Sequence, residues 1–258
     1  MTEQMLLDGE PNVPFVFSWA NEPWTKRWSG GGQTKDDHML MSQEYGDEPE
    51  WKEHFEYLMK FFRHPNYIFV DRKPCMILYR LGHFGDILEP MLKYWREMAL
   101  AEGFEGLHII HTIGNFYHLD GITKTLEKHT DGAFHFWPQL IGSGFVILDT
   151  TATVHELPIE AKLQYWGSFV GFNRQVRYNE AVPINRSVKD FNDLMHLSFT
   201  SMAHHPGRDI SLNLYFIAAW NEWNEQAVLE PDSTNRFRYL NALKHNLERI
   251  PTNKKPSS

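Results

Sequence analysis

The sequence predicts an α/β chain of the parallel-barrel kind. Short apolar runs alternate with stretches of helical periodicity, six times along the chain in a generous count, the pattern of parallel strands joined by crossover helices. No G-x-G-x-x-G or Walker A sequence follows an early strand, as a doubly wound nucleotide-binding sheet would show. Polar and aromatic residues gather where the predicted strands end, which is where barrels carry their chemistry.

Taken in order, Met5, Leu6 and Leu7 read as the end of a helix that Gly9 and Pro11 break. The run from Pro14 to Trp19 reads as a strand buried on both faces, with Asn21 and Glu22 at its end. Gly30, Gly31 and Gly32 mark a loop, and Trp51, Phe55, Leu58, Met59 and Phe62 then recur at helical spacing. Lys73 to Tyr79 is the next strand, and Asp86 to Glu102 the next helix, terminated by Gly103. Further strands are expected over Leu107 to His111, Gly132 to Phe136 and Leu212 to Ala219. Helices are expected over Gly121 to Lys128, Val188 to Met202 and Phe237 to Glu248. Residues 139–187 carry no clean period apart from a strand around Leu163 to Val170, and the polar tail 251–258 is expected to be disordered. A closed (β/α)8 barrel needs two units more than this count supplies. The expectation is one barrel domain over 1–250 that lacks its first one or two β/α units, unless the unclear middle hides one.

Charge and composition narrow the partners. Lys and Arg number 25 against 33 Asp and Glu, a formal charge of −8, which opposes a surface built to neutralise phosphates or anionic lipid. Nucleic acid is therefore not an expected partner. No apolar stretch approaches the ~20 residues of a membrane helix, and the first residues lack the basic n-region of a signal peptide. The single cysteine, Cys75, excludes an internal disulfide framework and leaves the compartment open. The 14 histidines include no His-Glu-x-x-His or other compact ligand spacing, so neither a metal nor a cofactor is expected. No Asp-x-Asp occurs either, which leaves the common metal-bound sugar-nucleotide chemistry unsupported.

The aromatic content, 9 Trp, 10 Tyr and 18 Phe, is informative through its placement. Several rings stand beside polar residues, in Trp19-Ala-Asn-Glu-Pro-Trp24 and Trp220-Asn-Glu-Trp-Asn-Glu225. Ring faces next to carboxylates and amides suit carbohydrate, whose C–H faces stack while its hydroxyls require fixed donors and acceptors. The same rings would also serve as core filling. Glu222 and Glu225 are three positions apart, so a helical turn would project them from one side. Two carboxylates in a partly dry aromatic setting take different pKa values, one acting as acid and one as base, which is what breaking or remaking a glycosidic bond requires. An exposed helix start would display the same acids without chemistry. Trp19, Asn21, Glu22, Trp24, Arg27 and Trp28 form a second constellation, either a sugar platform fixed by an Arg–carboxylate pair or a loop packed by its own tryptophans. Tyr79, Arg80, His111 and Trp137 stand at other predicted strand ends.

Trp19-Ala-Asn-Glu-Pro-Trp-Thr-Lys-Arg-Trp28, Gln43-Glu-Tyr-Gly-Asp47, His54-Phe-Glu-Tyr57, Tyr67-Ile-Phe-Val-Asp-Arg-Lys-Pro74 and Trp220-Asn-Glu-Trp-Asn-Glu225 with Leu229-Glu-Pro-Asp232 together resemble the WbsX-type glycosyltransferase family. That family is itself similar to the endo-α-mannosidases of glycoside hydrolase family 99. The resemblance runs in order over nearly the whole chain and implies a (β/α)8 barrel acting on a polysaccharide or oligosaccharide, with no metal in the catalytic step and further β/α units ahead of the Trp19 strand. It also implies roles for the glutamate pair. Glu222 would deprotonate the sugar 2-hydroxyl, and Glu225 would serve as general acid and then base, in a retaining route without an enzyme-linked sugar. This sequence departs from the family pattern at Asn224, where the hydrolases have histidine, and at Gln226, where glycine is usual. In Gly171-Phe-Asn-Arg-Gln-Val-Arg177 an Asn, Asn173, replaces an acid, and Arg177 is retained as a candidate sugar or phosphate contact. Trp220, Asn221 and Trp223 complete the expected substrate-binding set. The function expected is a carbohydrate-active enzyme that cleaves or transfers glycosidic bonds. The alternatives are a catalytically inert glycan-binding module and a truncated fragment.

Overall fold

The apolar runs become parallel strands, and the periodic stretches become the helices that cover them. The computed structural model describes residues 2–25, 39–114, 124–136, 140–141, 144–145, 163–173, 175, 184, 186–203 and 214–250. Arg27, Trp28, Trp137 and Arg177 from the expected site, and the tail 251–258, lie outside the described residues. The chain divides into two compact units, one over 1–24, 39–134 and 159–164, the other over 25–38, 135–158 and 165–258.

In chain order the first unit holds α1 (Thr2–Asp8), β1 (Phe17–Trp19), β2 (Trp24–Thr25), β3 (Met39–Met41), α2 (Glu48–Phe62), β4 (Phe69–Val70), β5 (Lys73–Leu78), α3 (Leu88–Ala101), β6 (His108–Ile113), α4 (Lys124–Glu127) and β7 (Gly132–His135). Strands β1, β5 and β6 are parallel neighbours in the register Trp19↔Leu78 and Leu78↔His111, and β7 follows β6 in the sheet. Alternate side chains of a strand share a face. Phe17 and Trp19 on β1, Met76 and Leu78 on β5, and Ile109 on β6 all turn toward α2 and α3, where Phe55, Phe61, Phe62, Leu92 and Trp95 complete one apolar cluster. Removing a large ring from such a cluster typically costs about 3–5 kcal/mol. Trp95 is fully buried and donates its Nε1–H to the Trp51 carbonyl at 2.8 Å, so its only polar atom is satisfied where water is excluded.

Three expectations shift in detail. Helix α3 begins at Leu88, two residues later than expected, because 81–87 form a 3-10 stretch in which Gly85 takes φ +52 and ψ −131, a conformation that interrupts a right-handed helix. Strand β1 is short and Ser18 is exposed, so it is not buried on both faces. Phe15 reaches the sheet only as a single bridge to Tyr67. Of the segment expected as helix over Gly121 to Lys128, residues 121–123 lie outside the described residues, Lys124–Glu127 form α4 and Lys128 is a turn.

The second unit holds β8 (Leu140–Ile141), β9 (Gly144–Phe145), most of β10 (Leu163–Phe169), α5 (Val188–Ala203), β11 (Tyr215–Ala218), β12 (Asn221–Glu222), β13 (Ala227–Val228) and α6 (Arg238–Leu247). Strands β10 and β11 are parallel, Trp166 opposite Tyr215. Phe191, Leu194, Met195, Phe199 and Met202 of α5 form the core with Trp166, Phe169 and Ala242. Asn246, buried on α6, ties that helix to α5 through Asn192 Oδ1 at 3.1 Å. The fold is thus mixed α/β with parallel strands and crossover helices, a partial (β/α) barrel, as the sequence predicts. Among the described residues no helix is long and apolar enough to cross a membrane.

Candidate active site

In the first unit the polar residues that follow β1 and β5 meet. The last ladder pair is Trp19↔Leu78, after which the Tyr79 amide still donates to the Trp19 carbonyl at 3.1 Å. Beyond that point the backbone after β1 folds back on itself, with Asn21 N–H on the Trp19 carbonyl at 2.9 Å and Glu22 N–H on the Ala20 carbonyl at 3.0 Å. Asn21, fully buried, accepts the Arg80 N–H on Oδ1 at 2.8 Å. Its Nδ2 donates to the Arg80 carbonyl at 2.9 Å and to the Tyr45 hydroxyl at 3.1 Å. The Tyr45 hydroxyl in turn donates to the Asn21 carbonyl at 2.9 Å. Beside this network Arg80 and Glu22 form an ion pair at 2.8 Å, with side chains only 20% and 17% exposed. A pair this sheltered is screened less than a surface pair and presents donors and an acceptor side by side.

Trp19 borders this network, its ring edge-on to that of Tyr45 at 5.9 Å between centroids, and His111 lies buried farther along the sheet. The Trp19 ring packs edge-on against His54 at 4.7 Å and Phe84 at 5.4 Å between centroids, with Trp95 at 6.1 Å. Burial pushes the His54 imidazole below its ordinary pKa. His111, fully buried, shares its ring nitrogen Nδ1 with Thr130 Oγ1 at 2.9 Å, and its Nε2 stands 3.6 Å from Glu127 Oε1. Both residues therefore belong to the face covered by helices, in register with Leu78. Trp24 is different, 66% exposed at the start of β2.

In the second unit the Trp220 to Glu225 segment forms a tight hairpin rather than a helix start. Asn221 pairs with Val228 and Glu222 with Ala227 in antiparallel β12 and β13, and Trp223–Glu225 make a single 3-10 turn between them. Glu225 belongs to that turn, whereas Glu222 is the strand residue that leads into it, at φ −80 and ψ 74. Gln226 closes it at φ +51, the left-handed conformation that favours glycine. The loop therefore keeps a glycine-type conformation although the residue is glutamine. Backbone bonds anchor the hairpin, with Ala219 N–H on the Ala227 carbonyl at 3.3 Å, Glu230 N–H on the Trp220 carbonyl at 2.9 Å and Asn173 N–H on the Glu225 carbonyl at 2.6 Å. Glu222 and Glu225 are half-buried, whereas Trp220 and Trp223 are 52% and 53% exposed. The Trp223 Nε1–H is fixed by the Glu230 carboxylate. Against the face that carries Val228 lies a cleft of about 460 Å3, lined by Phe172, Arg186, Trp223, Val228, Asn235 and Tyr239.

The residues brought together are thus Asn21, Glu22 and Arg80 in one unit, and Trp220 through Glu225 in the other. Tyr79 follows β5 directly, half-buried. Tyr45, part of the Gln43-Glu-Tyr-Gly-Asp47 motif, is a member of the network that the sequence does not announce. Its place follows from its neighbours: Gly46 at φ +63 and the Asp47 N–H donating to the Glu50 carboxylate at 3.2 Å start α2 immediately after it, so the helix start aims its ring at the β1 end.

The family model for the WbsX glycosyltransferase matches residues 1–154 and 146–243. The chain belongs to the WbsX glycosyltransferase family. It is 24% identical over 264 residues to the WxcX protein of Xanthomonas campestris pv. campestris strain B100, across 95% of this chain and 36% of that protein. A second strain's WxcX matches equally, 24% over 260 residues, again 36% of its length. This WbsX chain therefore spans about a third of the curated relatives it matches. Among solved structures it is similar to a glycoside hydrolase-like protein, with a TM-score of 0.59 and 12% identity over 95% of this chain and 84% of that one, which shows a shared fold. Similarity to the GH99 endo-α-mannosidase from Bacteroides thetaiotaomicron is looser, at a TM-score of 0.48 and 14% identity over 80% of this chain and 63% of that one. Family membership places the WbsX chain among carbohydrate-active proteins.

Proposed function

We propose that this chain cleaves or transfers glycosidic bonds in a polysaccharide or oligosaccharide, with Glu222 and Glu225 as its catalytic carboxylates. One observation carries the reading. Just past the C-terminal end of a parallel strand, where barrels place their chemistry, a tight hairpin carries the half-buried Glu222 and Glu225 in one short segment with the exposed indoles of Trp220 and Trp223. Cleavage or transfer of a glycosidic bond needs two carboxyl groups close to the substrate, one acting as base and one as acid.

In the retaining route Glu222 accepts the proton of the sugar 2-hydroxyl as O2 attacks C1, and Glu225 gives its proton to the departing glycosidic oxygen. Glu225 then takes a proton from the incoming water or sugar hydroxyl, which opens the anhydro ring at C1, and Glu222 returns a proton to O2. Both carboxyl groups end as they began, so water as acceptor gives hydrolysis and a sugar hydroxyl gives transfer. Beside the glutamates, Trp220 and Trp223 are exposed rings suited to stacking on sugar faces; in the other unit, taken by itself, Trp24 is likewise exposed and the Glu22–Arg80 pair is suited to hydroxyls.

The test is incubation with mannose- and rhamnose-containing oligosaccharides, followed by chromatography for cleaved or exchanged products, with Glu225→Gln as the control. Products from the native chain and none from the variant support the reading. Equal turnover by the two removes the mechanism, and binding without product by the native chain selects a glycan-binding module instead.

A further inference from the structure

Asn21 stands where a sugar contact was expected, at the end of β1. Yet its carboxamide is fully buried and faces protein on every side the structure describes. Oδ1 accepts from the Arg80 N–H at 2.8 Å while Nδ2 donates to the Arg80 carbonyl at 2.9 Å, so one side chain satisfies both backbone groups that a longer parallel ladder would have taken. The ladder between β1 and β5 ends at Trp19↔Leu78, and Asn21 continues it with a side chain across the two residues where the backbone turns away. Its second amide hydrogen is taken by the Tyr45 hydroxyl at 3.1 Å, which donates back to the Asn21 carbonyl at 2.9 Å. Three of the four hydrogen-bonding places of the carboxamide are thereby occupied by protein.

Other side chains do not reproduce this. Aspartate has the acceptors and neither donor, glutamine is a methylene too long for the same reach, and serine offers one group where two are needed. The consequence falls on the residues next in sequence. Glu22 follows Asn21 directly, and Arg80 is gripped at both its N–H and its carbonyl, so the clamp fixes the main chain under both members of the 2.8 Å ion pair. A charge pair that must meet sugar hydroxyls gains affinity from being held before the ligand arrives, since less ordering remains to be done on binding.

We propose that Asn21 is a positioning residue, which locks the Glu22–Arg80 pair at the strand ends for glycan contact and does not touch the glycan itself. This rests on the reading above that the cluster belongs to a glycan site. The experiment is a double-mutant cycle in calorimetric binding of a mannose trisaccharide and a rhamnose trisaccharide, using the full chain with Asn21→Ala, Glu22→Gln and both together. Amide hydrogen exchange of Arg80 is measured alongside. Tyr45→Phe, alone and together with Glu22→Gln, is carried as a milder second cycle, because it removes one support and leaves the carboxamide in place.

The expected result is a loss of affinity of about tenfold or more for Asn21→Ala, and of a few fold for Tyr45→Phe. Each should shrink to less than about twofold when Glu22 is already Gln, because only coupled residues depart from additivity. The Arg80 amide should exchange faster in Asn21→Ala while the Leu78 amide keeps its protection. The same loss in both backgrounds, or none, overturns the proposal, since the side chain would then touch the ligand or serve only the fold. If the native chain and Glu22→Gln bind alike, or neither binds, the glycan reading of this cluster fails, and the Arg80 exchange still reports separately whether the clamp exists.

Discussion

The end of β1 is held by side chains, and the end of β11 by backbone. After β1, the fixed geometry comes from one buried carboxamide with a tyrosine hydroxyl behind it. After β11, the Trp220 to Glu225 segment is fixed chiefly by a hairpin ladder, a 3-10 turn and backbone bonds with Ala219, Glu230 and Asn173, and the Trp223 indole is held by the Glu230 carboxylate as well. A region preorganised by its backbone is free to use its side chains for chemistry. A region preorganised by a side chain has spent that residue on structure. The contrast separates residues whose replacement changes turnover from residues whose replacement changes stability.

The largest effect is expected at the backbone-held end. Glu225→Gln should reduce turnover of a cleavable oligosaccharide by about 10^2–10^4-fold, the usual contribution of a general acid–base group, with no change in the thermal midpoint of unfolding. A drop in the midpoint alongside the activity would mean that the side chain supports the hairpin, and the distinction between the two ends would fail there.

The next effect compares two asparagines in equivalent places at strand ends. Asn21→Asp should cost roughly 1–3 kcal/mol in denaturant unfolding, because two donors become acceptors facing the Arg80 carbonyl in a dry site. Asn221→Asp, on an exposed side chain of β12, should stay within ~0.5 kcal/mol. Equal costs at the two positions would show that the hairpin, too, depends on its side chains.

How much of this was legible beforehand follows the same division. The parallel strands, the helices over 48–62 and 188–203 and the polar strand ends were readable because they rest on local apolar periodicity. The face of a strand is less secure, since a shift of one residue turns every side chain over. Trp19 does end β1, whereas His111, expected at a strand end, lies inside β6, which runs on to Ile113, and both rings pack against protein. The hairpin is not legible in the sequence because Trp-Asn-Glu-Trp-Asn-Glu has neither a period of two nor a glycine to announce the left-handed Gln226. Tyr45 was out of reach for another reason: it meets Asn21 from 24 positions away, a separation that only tertiary packing closes.

Gln226 gives a smaller prediction. A left-handed conformation costs an L side chain about 1–2 kcal/mol, and glycine returns part of that gain through its larger unfolded-state entropy. Gln226→Gly should therefore stabilise the chain by up to roughly 1 kcal/mol in denaturant unfolding and leave turnover unchanged. Destabilisation would mean that the glutamine side chain holds the turn, contrary to a backbone-held hairpin.

The smallest effect uses acid to separate the two ends. The Asn21 carboxamide has nothing to titrate, whereas the turn that follows the hairpin is built on a carboxylate. Asp232 accepts the Thr234 and Asn235 amides on Oδ1 and the Asn235 side chain on Oδ2. Those bonds, the Asn235 backbone first, hold its pKa below the ordinary 3.8. A carboxyl group with a depressed folded pKa contributes its full stabilisation above the unfolded value and loses it as pH falls through the folded one. The amides of Thr234 and Asn235 should therefore lose protection, after correction for the intrinsic exchange rate, as pH drops below about 4, and Asp232→Asn should remove that dependence. The Arg80 amide, bonded to a carboxamide, should keep its protection over the same range. If it opened with the Asp232 turn, the β1 end would depend on a titrating carboxylate after all, and Glu22 would be the group to test.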